Sequence, residues 1–253
     1  MRRCLWFIAG LGAAGAACAP AAVPALPGVE RVVFVGDSLV NRSDEDHGLL
    51  GLVRGALGRS HPGVALDLVN AGNNGDCIAD IRARLGAEVL ALRPAAVVLY
   101  WDSDAADVET EGESPERSRA LREAYERNLA AVLADLRAVT PHVLVAGPTL
   151  LGERPRGENP KDHVLDAYER INQRLCHAHH VTWIDTRRAA FAWLGEHAKR
   201  PYRDSGCLTE DGEHLNAAGT ALVASEMVSA LGRWLSGRAA AVPAELVEPP
   251  GPR

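Results

Sequence analysis

The chain has 253 residues, enough for one sizeable domain or two small ones, and its 47% apolar and 24% charged residues are an ordinary globular balance. The formal net charge of -6, with arginines dispersed rather than clustered, excludes the basic stripe that a nucleic-acid partner needs. The five cysteines, Cys4, Cys18, Cys77, Cys176 and Cys207, follow neither zinc-knuckle nor CxxC spacing.

The N-terminus is basic at Met1-Arg2-Arg3 and then apolar and small from Leu5 to Ala17, followed by Ala19, Pro20 and Ala21. That order reads as a secretory signal peptide over residues 1–21, with the mature chain beginning within Cys18 to Ala22. Two alternatives stay open: an uncleaved membrane anchor, and a lipid anchor on Cys18, for which Gly15 stands where a lipobox usually has Leu. A secreted or periplasmic protein is expected, with membrane association through this segment only. Cys4 and Cys18 fall in or beside the leader, so the body holds at most one disulfide with one thiol over.

From Arg31 onward short apolar strands alternate with amphipathic helices. Val32-Val33-Phe34-Val35 reads as a short buried strand, punctuated by Gly36, with Ser38 at the turn that follows. Leu49 to Leu57 reads as a helix ending near Gly58, and Val64 to Val69 as the second strand. Ile78, Ile81, Leu85 and Leu92 share one face of a helix. Ala95 to Trp101 is the most continuously apolar strand and so reads as central. An acidic loop from Asp102 to Glu113 leads to Ser114-Pro115, an N-cap followed by proline at the first helical position. Leu121, Tyr125, Val132, Leu136 and Val139 mark the face of that long helix. Val143 to Ala146 is the fourth strand, and the proline-rich loop from Gly147 to Asp162 is placed to overhang a site. A helix through Val164, Tyr168 and Leu175, a fifth strand Val181 to Ile184, a helix Ala189 to His197 and a final helix Ala217 to Leu235 complete the body. This alternation predicts a single α/β domain over residues 28–237, with a five-stranded, mainly parallel sheet covered on both faces. The proline-containing tail, residues 238–253, reads as disordered.

The chemistry lies at two ends of the chain. Ser38 stands just past a buried strand, where open α/β sheets place their ligands. It is not in a Gly-x-Ser-x-Gly elbow. Gly36-Asp37-Ser38 is also an ordinary turn composition, so the motif needs support from elsewhere. Asp211-Gly212-Glu213-His214 supplies it: a carboxylate three residues ahead of a histidine, across a glycine turn, can hold Nδ1–H and leave Nε2 facing a nucleophile.

With Ser38 and Asp211–His214 in view, the chain resembles the GDSL, or SGNH, hydrolase family. Gly36-Asp37-Ser38-Leu39 matches the family's first block, and Asp211 and His214 match its last, with Leu215-Asn216 continuing in style. Asn70-Ala71-Gly72-Asn73-Asn74-Gly75-Asp76 resembles the second block, where Gly75 aligns with the glycine whose amide points at the oxyanion. The resemblance implies a three-layer α/β/α sandwich of the SGNH, flavodoxin-like kind. It implies ester hydrolysis with Ser38, Asp211 and His214 as catalytic residues, an oxyanion hole from Ser38, Gly75 and Ser103, and no metal or organic cofactor. The partner is then a small-molecule, glycan or lipid acyl ester. A non-catalytic binding member of the fold and an acyltransferase or deacetylase acting on glycans stay open beside it. The third block departs from the family: Gly-x-Asn-Asp is here Trp101-Asp102-Ser103-Asp104. Ser103 carries a hydroxyl on a shorter arm than the family's carboxamide. Trp101 is expected to narrow the pocket or wall it, and Asp102, Asp104 and Asp107 to burden an oxyanion unless they point away.

Two further motifs are set aside. Cys176-His177-Ala178-His179-His180 looks metal-like, but it falls at a helix end, where imidazoles suit the dipole. Asn41-Arg42-Ser43 is a glycosylation sequon so close to Ser38 that it is expected to be unused.

Overall fold

The computed structural model describes residues 28–41, 47–109, 112–198 and 203–239. The leader, the tail from residue 240, and Cys4 and Cys18 lie outside the described residues.

Five parallel strands form one sheet in the order β2-β1-β3-β4-β5. They are β1 (Val29–Gly36), β2 (Ala65–Gly72), β3 (Ala96–Tyr100), β4 (Val143–Ala146) and β5 (Thr182–Ile184). The helices are α1 (Ser38–Asn41), α2 (Leu49–Ser60), α3 (Ile78–Glu88), α4 (Pro115–Val139), α5 (Asp162–Ala178), α6 (Thr186–His197) and α7 (Ala217–Ala239). Side chains alternate across a strand, so β1 divides its apolar run between two cores. Val33 and Val35 pack with α3, α4 and α5 on one face, through Ile81, Leu129, Leu133 and Leu165. Val32 and Phe34 pack with α2 and α7 on the other, through Leu50, Val53, Met227 and Leu231. The four β1 side chains are 0% exposed, and each such burial contributes about 1.5–3 kcal/mol before chain entropy is subtracted. This is the expected three-layer sandwich.

The strand order places a switch point between β1 and β3, where successive connections leave in opposite directions and open a crevice above the sheet. Gly36 allows those strands to meet there. A Cβ on residue 36 would lie 1.8 Å from the Tyr100 carbonyl oxygen, so only glycine fits the end of β1.

Several boundaries differ from the periodicity reading. The helix expected to run from Ile78 to Leu92 ends at Glu88 and is followed by a tight turn over Leu90–Leu92. Arg93 takes a left-handed φ of 50°, and the residue before Pro94 is sterically barred from continuing a helix. Strand β2 runs to Gly72 because its ladder with β1 continues to Gly36. Helix α6 begins at Thr186, three residues early, because the Asp185 carboxylate caps the Arg188 amide at 3.0 Å. The expected cap of α4 forms: the Ser114 side chain accepts from the Arg117 amide at 3.2 Å. Val139, read as part of the buried face of α4, is 44% exposed at the last turn. Cys77, Cys176 and Cys207 are all free thiols. No helix among the described residues is long and apolar enough to cross a membrane.

Candidate active site

Ser38 opens α1, immediately beyond β1, at the carboxyl edge of the sheet. Its Oγ lies 3.4 Å from His214 Nε2, and His214 Nδ1 lies 2.8 Å from Asp211 Oδ2. The structure therefore brings together the three residues singled out from opposite ends of the sequence. The 3.4 Å separation is long for a hydrogen bond.

The Asp-x-x-His geometry is set locally. Gly212 takes φ 99°, a conformation that side chains disfavour, and so turns the chain back. Asp211 Oδ1 then accepts the amides of Glu213 at 3.0 Å and His214 at 2.8 Å, leaving Oδ2 for the imidazole. Partial burial works to raise the Asp211 pKa, but the amide and ring of His214 and the amide of Glu213 outweigh it and bring the group down to about 2. The carboxylate is thus ionised above about pH 4, and it holds the ring so that Nε2 faces Ser38.

The other half of the site is buried. Asp37 is 0% exposed and ties two loops together. Its Oδ1 accepts the Leu39 amide at 3.0 Å. Its Oδ2 accepts the amides of Asp102 at 2.9 Å and Ser103 at 3.0 Å, and the Ser103 hydroxyl at 2.7 Å. A carboxylate at the foot of the nucleophile turn thereby holds the loop after β3 in place. Sequence reasoning left Asp37 without a role, because an acid between Gly and Ser carries no local signal beyond turn preference.

The second block lies alongside. The Asn73 amide donates to the Gly36 carbonyl at 3.0 Å. Arg84 ties the block down by bonding Asp76 at 2.6 Å and the Gly36 carbonyl at 3.2 Å. Gly75 takes φ 75°, and among the described residues neither its amide nor that of Ser38 has a hydrogen-bond acceptor.

Ser103 sits at the expected edge, 4% exposed, with its one hydroxyl proton given to Asp37. Trp101 is not a pocket wall. It is 3% exposed and packs in the core against Tyr125, because its indole N–H reaches Asp104 at 3.1 Å. Asp104 points away from Ser38's turn: its Oδ2 accepts the first amide of α3, from Ile78, at 2.7 Å. Burial pushes the Asp104 pKa up to about 7, against the pull of the Ile78 amide and the Trp101 indole. His177, His179 and His180 stand at the end of α5, and no group of three metal-capable side chains gathers among the described residues. The sequon's Asn41 donates to Asn74 at 3.0 Å, while Arg42 and Ser43 lie outside the described residues.

A cleft of about 210 Å³ opens beside Ser38 and His214, lined also by Leu39, Gly48, Leu49, Glu210, Leu215 and Thr220.

The chain and its fold are similar to known proteins. An acetylxylan esterase of Geobacillus stearothermophilus is 23% identical over 223 residues, covering 83% of this chain and 97% of that protein. The crystal structure of the acetyl xylan esterase AlAXEase superposes with a TM-score of 0.71 at 27% identity, over 79% of this chain and 99% of that one. Axe2, an acetylxylan esterase from Geobacillus stearothermophilus, superposes at 0.68 with 20% identity, over 80% and 94%. The profile of the GDSL-like lipase/acylhydrolase family matches residues 34–222, from the strand before Ser38 to the helix after His214. With that match over most of the chain, the fold it predicts and esterases as its structural neighbours, the protein belongs to the GDSL-like lipase/acylhydrolase family and is a carboxylic ester hydrolase.

Proposed function

We propose that the protein removes short acyl groups, acetyl above all, from an esterified glycan, with Ser38 as nucleophile, His214 as general base and then acid, and Asp211 as the group that orients it. The observation that carries this reading is the line Ser38 Oγ, His214 Nε2, His214 Nδ1, Asp211 Oδ2, with spacings of 3.4 and 2.8 Å at the switch-point crevice. Ser38 attacks the acyl carbonyl while its proton passes to Nε2. The proton then goes to the leaving sugar oxygen. Water, activated by the same Nε2, releases the acid from Ser38. The amides of Ser38 and Gly75 receive the oxyanion. Ser103 is the third donor, and it serves only by turning its hydroxyl from Asp37. Asp37 still keeps the amides of residues 102 and 103 when that happens.

The cleft supports a short acyl group. At about 210 Å³, with Leu39, Leu49 and Leu215 on its walls, it is smaller than pockets that engulf a drug-sized ligand. The glycan reading is supported by similarity to the acetylxylan esterases above. A serine-directed phosphonate, with Ser38→Ala as control, tests the nucleophile. An ester panel of increasing chain length, with acetylated xylo-oligosaccharides beside it, tests the substrate. Labelling of Ser38→Ala equal to wild type sinks the assignment, and a preference for long acyl chains sinks the substrate reading.

A further inference from the structure

We infer that Glu153, in the loop between β4 and α5, is a positioning residue for the Asp211–His214 turn. This rests on the catalytic reading above. Glu153 touches neither Ser38 nor His214; it acts through the segment that leads into Asp211 and His214. Its carboxylate is 1% exposed and receives four donors from one short stretch. Oε2 accepts the Cys207 amide at 2.7 Å. Oε1 accepts the amides of Leu208 at 2.7 Å and Thr209 at 2.6 Å, and the Thr209 hydroxyl at 2.7 Å. The Thr209 oxygen in turn accepts the Gly212 amide at 3.1 Å, inside the turn between Asp211 and His214. One residue earlier, the Gly152 amide donates to the Gly212 carbonyl at 2.7 Å. One residue later, Arg154 pairs with Asp204 at 2.5 Å.

The residues that hold the imidazole are exposed by comparison: the side chain of Asp211 is 57% accessible and that of His214 30%. Their own packing cannot fix them, so the turn needs an anchor below it. Glu153 supplies one by charge-assisted hydrogen bonds in a dry setting, where each is roughly twice as strong as its neutral counterpart. Burial works to raise the Glu153 pKa, and the converging amides with the Thr209 hydroxyl outweigh it and hold the group below the usual carboxylate range. A neutral amide cannot replace it: Glu153→Gln sets N–H against N–H in at least one of the four contacts.

The experiment compares wild type, Glu153→Gln, Thr209→Val and Thr209→Ser on p-nitrophenyl acetate. It follows kcat and KM separately, the acid limb of the kcat/KM–pH profile, the thermal midpoint, and the downfield proton NMR signal of the His214–Asp211 hydrogen bond. Misplacing a catalytic group by about 1 Å costs on the order of 100-fold. Glu153→Gln is therefore expected to lower kcat by roughly 10- to 100-fold with KM within about twofold. The acid limb should move, because the Asp211 carboxylate is no longer held in place against the ring. The downfield signal should shift or vanish. Thr209→Val should follow in direction, with a loss of about tenfold, and Thr209→Ser should restore wild-type behaviour. The proposal is overturned if Glu153→Gln and Thr209→Val keep wild-type kcat. It is equally overturned if kcat falls with the acid limb and NMR signal unmoved, since that is loss of folded protein and not of positioning. Should Glu153→Gln fail to fold, Thr209→Val decides by the same criteria. If the wild type itself turns over no ester, the catalytic reading fails, and the NMR signal alone decides whether Glu153 sets the geometry of the pair.

Discussion

In the proposed catalytic site, the nucleophile half around Ser38 and the acid–base half of Asp211 and His214 are held in opposite ways. The nucleophile half is buried: β1 ends between two cores, and Asp37 at 0% exposure binds the turn to the loop after β3. The acid–base half sits on an open loop, with His214 and Asp211 partly in water. A nucleophile gains from a rigid seat, because its oxygen must meet a carbonyl within a few tenths of an ångström while backbone donors wait behind it. A base gains from access, because it must hand its proton to a leaving group and later take one from water. On the proposed reading, one catalytic unit combines a buried seat, held by packing and by the hydrogen bonds of Asp37, with an exposed turn held mainly by hydrogen bonds.

The strongest way to break the comparison is to remove either half. Ser38→Ala and His214→Ala are each expected to lower kcat on a short activated ester by about 10⁴-fold or more, and the double variant should be little worse, since the pair works as a unit. Additive losses, measured by steady-state kinetics, would show that the halves act independently.

Next comes the buried half. Asp37→Ala leaves the amides of Leu39, Asp102 and Ser103 without their acceptor. Each orphaned buried donor costs about 1–3 kcal/mol, so urea denaturation should show a loss of several kcal/mol with a large fall in kcat. A variant as stable as wild type would mean that the nucleophile half does not rest on Asp37.

A smaller effect is expected at Ser103. If its hydroxyl turns from Asp37 to the oxyanion during turnover, Ser103→Ala should lower kcat by about tenfold with KM unchanged, less than the 10²–10³ of a dedicated donor. A change below about twofold would assign the hydroxyl to Asp37 throughout.

The smallest effect is on stability against pH. Burial raises the Asp104 pKa from an ordinary 3.8 to about 7. A raised acid binds its proton more tightly in the native state, so its contribution favours folding at low pH and declines as pH rises from about 4 to about 7. Asp104→Asn keeps an oxygen for the Ile78 amide and the Trp101 indole. It should flatten that part of the urea-midpoint profile and be at least as stable as wild type at pH 8. A parallel profile for the two proteins would place the titration elsewhere. Asp211, brought down from an ordinary 3.8 to about 2, should contribute no such slope above about pH 5, because it is ionised there in both the folded and the unfolded chain.

Much of this was legible in the chain. The strands announced themselves because β-branched runs are buried whole in a parallel sheet, and Ser114 marked its helix because capping is a local event. Asp211 and His214 were legible for the same reason, their geometry being closed within three residues by Gly212. Ser38 was legible by its place after β1. The end of α3, the start of α6 and the burial of Trp101 were not, because each was settled by a neighbour that periodicity does not weigh: Pro94, Asp185 and Asp104.

The sequence by itself determined the order of strands and helices, the serine at a strand end and the acid–histidine turn, because backbone preference and side-chain period act over a few residues. Only the tertiary structure decided which groups hold that chemistry in place. Asp37 meets Ser103 across 66 positions and Glu153 meets Cys207 across 54. A buried carboxylate is defined by the amides that converge on it, and nothing beside it in the chain says where they come from.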